Sequence, residues 1–254
     1  MQNPGMHEKP ARVARFYTED KLRAGGTAQL PEDAAHHAVH VLRLRAGEEV
    51  TLFDGRGGEY AGRIAAIERL RVTVDLLAHR ALERESPLAV TLVQGISSSE
   101  KMDFTVQKAT ELGAAAVQPV VAARSTGRVA GERAAHKRMH WRRVAIAACE
   151  QCGRNRVPEI LEPVALAQYC RAAAAPGMRL LLAPQAQLGL REAAARLGDA
   201  ATLAAGPEAG FTAGEEALLA EAGFVPIRLG PRVLRTETAA LAALAALNAL
   251  AGDF

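Results

Sequence analysis

Two runs near the C-terminus carry residue types and spacings suited to holding a small ligand. The first is Leu229-Gly230-Pro231-Arg232-Val233-Leu234-Arg235-Thr236-Glu237-Thr238-Ala239. It begins where the apolar run Phe224 to Leu229 stops at a glycine, and it opens a helix-like stretch of Ala and Leu. About twenty residues earlier, the apolar run Ala201 to Ala205 ends in Gly206-Pro207-Glu208-Ala209-Gly210. Glycine-rich loops after two neighbouring strands expose backbone N–H and C=O groups. An open α/β sheet binds ligands on such a floor, at the carboxyl ends of its strands. The crevice is therefore expected between Gly206–Gly210, Leu229-Gly230 and Leu234–Ala239.

A second kind of chemistry lies between residues 124 and 156. Nine Lys/Arg stand there against two acids, net +7, whereas residues 1–85 balance at 13 and 13 and residues 187–254 carry five against eight. Such a stripe attracts polyanions, although from charge alone a solvated basic helix face is the favoured reading. At its end, Glu150-Gln151 is followed by Gly153-Arg154-Asn155-Arg156. Basic residues at a helix C-terminus complement its dipole, and the same groups suit phosphate and base-edge contacts.

Other motifs fail on geometry. Cys149 and Cys152 have redox spacing but close a predicted helix instead of opening one. His140 and Cys149 are nine residues apart, on opposite helix faces, so one metal ion cannot reach both. No metal is expected. Gly55, Gly57 and Gly58 fall in a hairpin signal, not between a strand and a helix, and no P-loop is present. His36, His37 and His40 read as surface or RNA-facing groups.

These residues need a scaffold, and the pattern supplies one. Strands are expected at Arg12–Tyr17, Val50–Phe53, Tyr60–Ile67 and Arg71–Leu77, with a helix at Asp33–Arg45. After the charged, Pro-terminated segment Leu82–Pro87, strands and helices alternate. Strands fall at Leu88–Val93, Ala116–Val121, Leu180–Ala183, Ala201–Ala205 and Phe224–Leu229. Helices fall at Asp103–Leu112, Arg133–Glu150, Arg191–Leu197, Gly214–Ala222 and Thr236–Leu250. That alternation means a mostly parallel sheet covered on both faces. The expected domains are residues 1–84, small and β-rich, and residues 85–254, α/β. Between Ala239 and Ala251 only Asn248 is polar, so this helix is expected to be covered all round, in part by a second subunit. The apolar content of 49% fits a substantial core. No apolar run is long enough to span a membrane. The polar N-terminus and three cysteines point to a reducing cytoplasm.

Taken together, Phe104 to Gly113, Ala147 to Ile160, Gly206 to Phe211 and Leu229 to Ala239, with Arg12 to Tyr17, His40 to Arg43 and Leu52 to Gly55, resemble the RsmE-type methyltransferases of the SPOUT superfamily. Members of that family methylate N3 of a uridine in small-subunit (16S) ribosomal RNA. Ala209 stands where the family usually has glycine; if the position needed a positive φ, alanine would cost about 1 kcal/mol. The resemblance covers the whole chain. It implies a PUA-like β-barrel followed by a SPOUT-type knotted, mostly parallel sheet with helices on both faces. It also implies S-adenosylmethionine as cofactor, the small ribosomal subunit or its RNA as partner, and a homodimer with the site near the subunit interface. On this reading Gly206, Pro207, Glu208, Gly210, Leu229, Gly230, Leu234, Arg235, Thr236, Thr238 and Ala239 hold the cofactor. Arg12, Arg15, Arg43, Arg124, Arg138, Arg142, Gln151, Arg154 and Asn155 contact RNA. Arg235 would stabilise charge on the uracil oxygens, and Glu208 or Glu237 would take the N3 proton, though Glu237 in a first helical turn has a simpler capping role. The competing readings are an RNA-binding module without catalysis, which would not bind S-adenosylmethionine, and a nucleotide-binding metabolic enzyme, which would be indifferent to salt.

Overall fold

The structure, a computed structural model, describes residues 13–126, 129, 131–172 and 177–254. It divides into two compact units. One is built from the described residues up to Arg84 together with Gly153–Arg156, the other from Glu85–Cys152 and Val157–Phe254.

The first unit contains β1 (Ala14–Tyr17), β2 (Thr27–Gln29), α1 (Glu32–His36), a π-helical turn His37–Val41, β3 (Glu49–Phe53), β4 (Glu59–Glu68) and β5 (Arg71–Arg80). The sheet order is β1-β3-β4-β5-β2, with β1 and β3 parallel and the other pairs antiparallel. The glycine run at 55–58 forms the β3–β4 hairpin, as its composition requires. The helix expected at Asp33–Arg45 is instead one short helix and one wide turn, after which Arg43 takes a left-handed φ of 55°. Phe16, Leu52, Ile64, Val74 and Leu76 pack on Ala35 and Ala38 as the core.

Inside this unit lies a buried charge network. Arg15 donates to Glu59 at 2.6 Å and to Asn155 Oδ1 at 2.7 Å, and also reaches the carbonyls of Gly153 and Arg154. Arg84 bonds both Glu59 and the Gly153 carbonyl. Desolvation pushes the Glu59 carboxyl up, but Arg15 and Arg84 outweigh it and hold the group below the usual carboxylate range.

The second unit runs β6 (Ala89–Gly95), α2 (Ser99–Glu111), β7 (Ala116–Val121), α3 (Glu132–Cys152), β8 (Glu159–Ile160), β9 (Val164–Ala165), α4 (Leu166–Arg171), β10 (Met178–Leu182), α5 (Leu190–Ala194), β11 (Ala200–Ala205), α6 (Ala213–Glu221), β12 (Val225–Ile227) and α7 (Thr236–Ala251). The strands pair in the order β12-β10-β11-β6-β7-β8, with β9 also on β7, and every pairing is parallel. Side chains alternate between two cores, as strand geometry demands. Leu92, Val117, Leu180 and Leu203 face one layer with Met102, Trp141 and Leu244, while Val93, Val120, Leu181 and Ala204 face the other with Leu166, Leu219 and Phe224. The strands are apolar on both faces because both faces are covered.

Helix α7 is less uniformly enclosed than its composition suggests. Ala240, Ala243, Leu244, Leu247 and Asn248 are buried, but Ala242, Ala249 and Leu250 are exposed. The one polar residue after its first turn is a fastener. Asn248 accepts from the Ser86 hydroxyl at 2.7 Å and donates to the Leu112 carbonyl at 2.6 Å, at the end of α2. Asn248→Ala should therefore lower unfolding stability by about 1–3 kcal/mol, because it leaves the buried Leu112 carbonyl without this donor. Urea unfolding with an unchanged m-value would report it.

Candidate functional site

Three strands, β10, β11 and β12, end at one crevice of about 340 Å³. Its floor and walls come from Ala183-Pro184, the Gly206–Phe211 loop and the segment Ile227–Leu234, and it closes on Thr236 and Ala239 of α7. The chain reaches this point by leaving edge strand β12 and crossing to the ends of β11 and β6, where Thr236 is held. Gln94, fully buried at the end of β6, donates to Thr236 Oγ1 at 3.0 Å, to the Gly206 carbonyl at 3.2 Å and to the Gly95 carbonyl. Thr236 in turn donates to the Gly206 carbonyl.

Two glycines set the loop geometry. Gly210 turns at φ 70° and Gly230 at φ 112°, both in the region that L side chains rarely enter. The positive φ falls at Gly210, not at Ala209, so the alanine there carries no backbone cost. A Cβ on Gly230 would meet nothing within 4 Å, so this glycine is needed for its conformation and not for space.

The rim is charged. Glu208 lies 3.3 Å from Lys101, and Lys101 also reaches Glu237 at 3.9 Å. The Ser98 N–H donates to Glu208 at 3.4 Å and the Thr126 hydroxyl at 3.1 Å. Desolvation pushes the Glu208 carboxyl up, but the Ser98 N–H, Lys101 and Thr126 together bring it below its ordinary value. Glu237 Oε2 is buried with no hydrogen-bond donor. The segment after β7 is pinned to the same loop: Arg124 donates to the Ala209 carbonyl at 2.8 Å, and the Ala123 N–H to Glu215 at 2.6 Å. Glu215 also completes a capping box with Thr212 that starts α6.

Of the sequence-predicted ligand residues, Gly206, Pro207, Glu208, Gly210, Leu229, Gly230, Leu234, Thr236 and Ala239 line the crevice. Arg235 and Thr238 are exposed beside it, and Arg235 is the N-cap of α7 without a side-chain cap bond. Sequence reasoning missed Gln94, Lys101 and Ala183-Pro184. The third had a signal, since the strand expected at Leu180–Ala183 ends there. Gln94 and Lys101 had none, because they meet the loops only through the fold.

The basic residues separate. Arg12 and Arg128 lie outside the described residues. Arg43, Arg124, Arg138 and Gln151 are exposed, and Arg142 is half-buried. Arg138 is tied to the Ile160 carbonyl at 2.8 Å. At about 3.6 residues per turn, His136, His140 and Arg143 share the flank of α3 that meets α2, where His140 lies 2.9 Å from Asp103, whereas Arg138 and Arg142 occupy the other. Arg154 and Asn155 are buried inside the first unit and Arg15, largely enclosed, meets them there through Asn155 Oδ1 and the Arg154 carbonyl. Among the described residues, no three His, Cys, Asp or Glu converge as a metal site, and Cys149, Cys152 and Cys170 are free thiols. No helix among them is long and apolar enough to cross a membrane.

Comparison with known proteins identifies the family of the chain. A family model described as an RNA methyltransferase domain matches residues 84–248, and one described as an RNA methyltransferase PUA domain matches residues 30–77. The chain belongs to this family of RNA methyltransferases, and within it to the group named ribosomal RNA small subunit methyltransferase E. It is 31% identical to that protein of Buchnera aphidicola over 95% of this chain and 98% of the relative, and 35% identical to that of Mycobacterium bovis over 92% and 91%. A structure of the Neisseria gonorrhoeae protein bound to S-adenosylmethionine superposes with a TM-score of 0.88 at 39% identity, covering 96% of this chain and 100% of that one. A putative methyltransferase of Legionella pneumophila, also with S-adenosylmethionine, gives 0.89 at 37% identity with the same coverage. The fold has the expected mostly parallel sheet with core packed on both of its faces, after a β-rich unit that the PUA-domain model matches.

Thr236→Val keeps the shape of the threonine but removes the hydroxyl that joins Gln94 to Gly206. It should cost about 0.5–1.5 kcal/mol of stability and speed amide exchange at Gly210 and Phe211, as read by hydrogen exchange.

Proposed function

We propose that this chain transfers a methyl group from S-adenosylmethionine to N3 of a uridine in 16S ribosomal RNA, in the cytoplasm. The observation that carries the reading is the crevice at three parallel strand ends with a carboxylate–lysine rim, in a chain similar to two proteins seen with that cofactor. Its residues fit the group. Apolar walls (Leu182, Phe211, Ile227, Leu229, Leu234) suit an adenine ring, backbone groups of the two glycine loops suit its polar edges, and Glu208 and Glu216 offer negative charge toward a cation. The bound cofactor supplies an electrophilic methyl on a sulfonium.

The residues of this chain have three tasks. The loops Gly206–Gly210 and Leu229–Leu234 fix the methyl donor relative to the incoming base, which converts an encounter into an aligned attack. The uracil N3 proton must leave. Glu208 is held as a carboxylate by three donors and is a weak acceptor, so Glu237, whose Oε2 accepts no hydrogen bond and has Lys101 only at 3.9 Å, is the better candidate. Arg235, exposed at the start of α7, is placed to balance charge on the uracil oxygens. N3 lies on the pairing edge, so the uridine must be unpaired or flipped out. Residues 1–84 are assigned as the RNA-binding domain and 85–254 as the catalytic domain, with Arg43, Arg124, Arg142 and Gln151 as contacts that the phosphate backbone can reach.

A homodimer completes the reading. The outer face of α7, with Ala242, Ala246, Ala249 and Leu250, borders a groove of about 680 Å³ shared with Leu229 and Leu234, next to the crevice. The exposed alanines and leucine of α7 would gain by burial, and Arg191, Arg228 and Arg232 rim the same groove.

Two measurements test these points. Glu237→Gln should lower kcat by about 10²- to 10⁴-fold with S-adenosylmethionine affinity retained, methylation being read by mass spectrometry of 16S RNA from a deletion strain complemented with each variant. Unmethylated N3 in a strain carrying the wild-type gene would overturn the function itself. Ala242→Glu, which places a charge on the exposed face of α7, should yield a folded monomer by sedimentation, and that monomer should be inactive.

A further inference from the structure

Phe104 stands on the outer face of α2 with 47% of its surface exposed, while the same helix buries Met102, Thr105, Val106, Ala109 and Thr110 beneath it. The ring is in water for no reason of packing. Its neighbours follow from helical spacing: Lys101 lies three residues before it and Lys108 four after, each one turn away on the same flank. Lys108 Nζ is 6.0 Å from the ring centroid. Lys101 Nζ is the group that touches Glu208 and Glu237, so the aromatic ring sits one helical turn from the rim of the crevice.

The rest of that outer face is polar, with Glu100, Gln107 and Glu111 around the ring. An apolar protein partner would find little more than one side chain to cover. An unpaired nucleotide needs only that one, since every base has a π face and stacks on an aromatic ring without regard to sequence. Lys108 is ion-paired with Glu111 at 2.8 Å, so its charge is partly neutralised and stacking outweighs phosphate contact here.

We propose that Phe104 is the stacking platform for an unpaired nucleotide adjacent to the methylated one, which holds the RNA strand open beside the crevice. The inference rests on the RNA-methylating function proposed above.

The test uses the full-length protein and a 16S RNA fragment that it methylates, with 2-aminopurine replacing each base that flanks the target uridine in turn. Wild type and Phe104→Tyr should quench 2-aminopurine at one flanking position. Phe104→Ala and Phe104→Leu should not quench it, and their RNA Kd should rise about 5- to 100-fold. The salt slope of RNA binding should stay constant, since stacking releases no counterion, and S-adenosylmethionine affinity should be unchanged. If Phe104→Ala binds and methylates the fragment as wild type does, or if Phe104→Leu performs as well as Phe104→Tyr, the platform is overturned and the ring is left to a protein contact. A wild-type chain that binds S-adenosylmethionine but methylates no RNA would instead defeat the function on which the inference rests.

Discussion

One carbonyl oxygen organises the catalytic unit. The Gly206 carbonyl accepts from Gln94 at the end of β6 and from Thr236 at the start of α7, while Gly206 itself directly follows β11. Two strand termini and a helix terminus are thereby fixed to one point. The crevice is the space left around that point, and its walls depend on where the segment after β12 returns to the ends of β11 and β6. A loop held this way keeps its backbone groups oriented before any ligand arrives, the arrangement that makes binding energy available for alignment instead of ordering.

Charge in this chain is sorted by burial more than by sequence position. Arg154 is buried and Arg15 nearly so, both within the first unit, and Arg15 is paired with Glu59 and Asn155, an expensive arrangement if a partner is removed. The rim of the crevice does the opposite. There Lys101 sits between two carboxylates at longer distances, and around the Glu208 pair, about one-third exposed, water still competes.

Much of this was legible in the residues. The β7 span was read to the residue, and the expected strands at Val50–Phe53 and Ala201–Ala205 fall within one residue of β3 and β11, because apolar runs bounded by turn residues leave little freedom. The glycine loops announced the crevice by composition. What stayed hidden had specific causes. Strands β2, β8 and β9, of two or three residues, are too short to show a period. The α-helix expected through Arg45 ends at His36 because the wider turn that follows shifts the hydrogen bonds to a five-residue spacing, as from the Leu42 N–H to the His37 carbonyl, a change that the hydrophobic pattern does not show. Arg154 and Asn155 look like ligand-facing groups in any linear reading, since nothing local says that a segment some 70 residues beyond the first unit returns to fill it. Gln94 and Lys101 become functional only through neighbours more than 100 positions away.

That returning segment has a consequence for how the protein is made. Asn155 and the carbonyls of Gly153 and Arg154 satisfy Arg15, and Asn155 also bonds the Leu82 carbonyl. A ribosome that has released only the first eighty-odd residues has therefore released an unfinished interior. The opening strands must wait through the synthesis of β6, α2, β7 and α3 before their last four residues emerge. Folding of this chain during translation is consequently not a matter of one unit after the other. The N-terminal unit is completed by residues that the ribosome makes in the middle of the second.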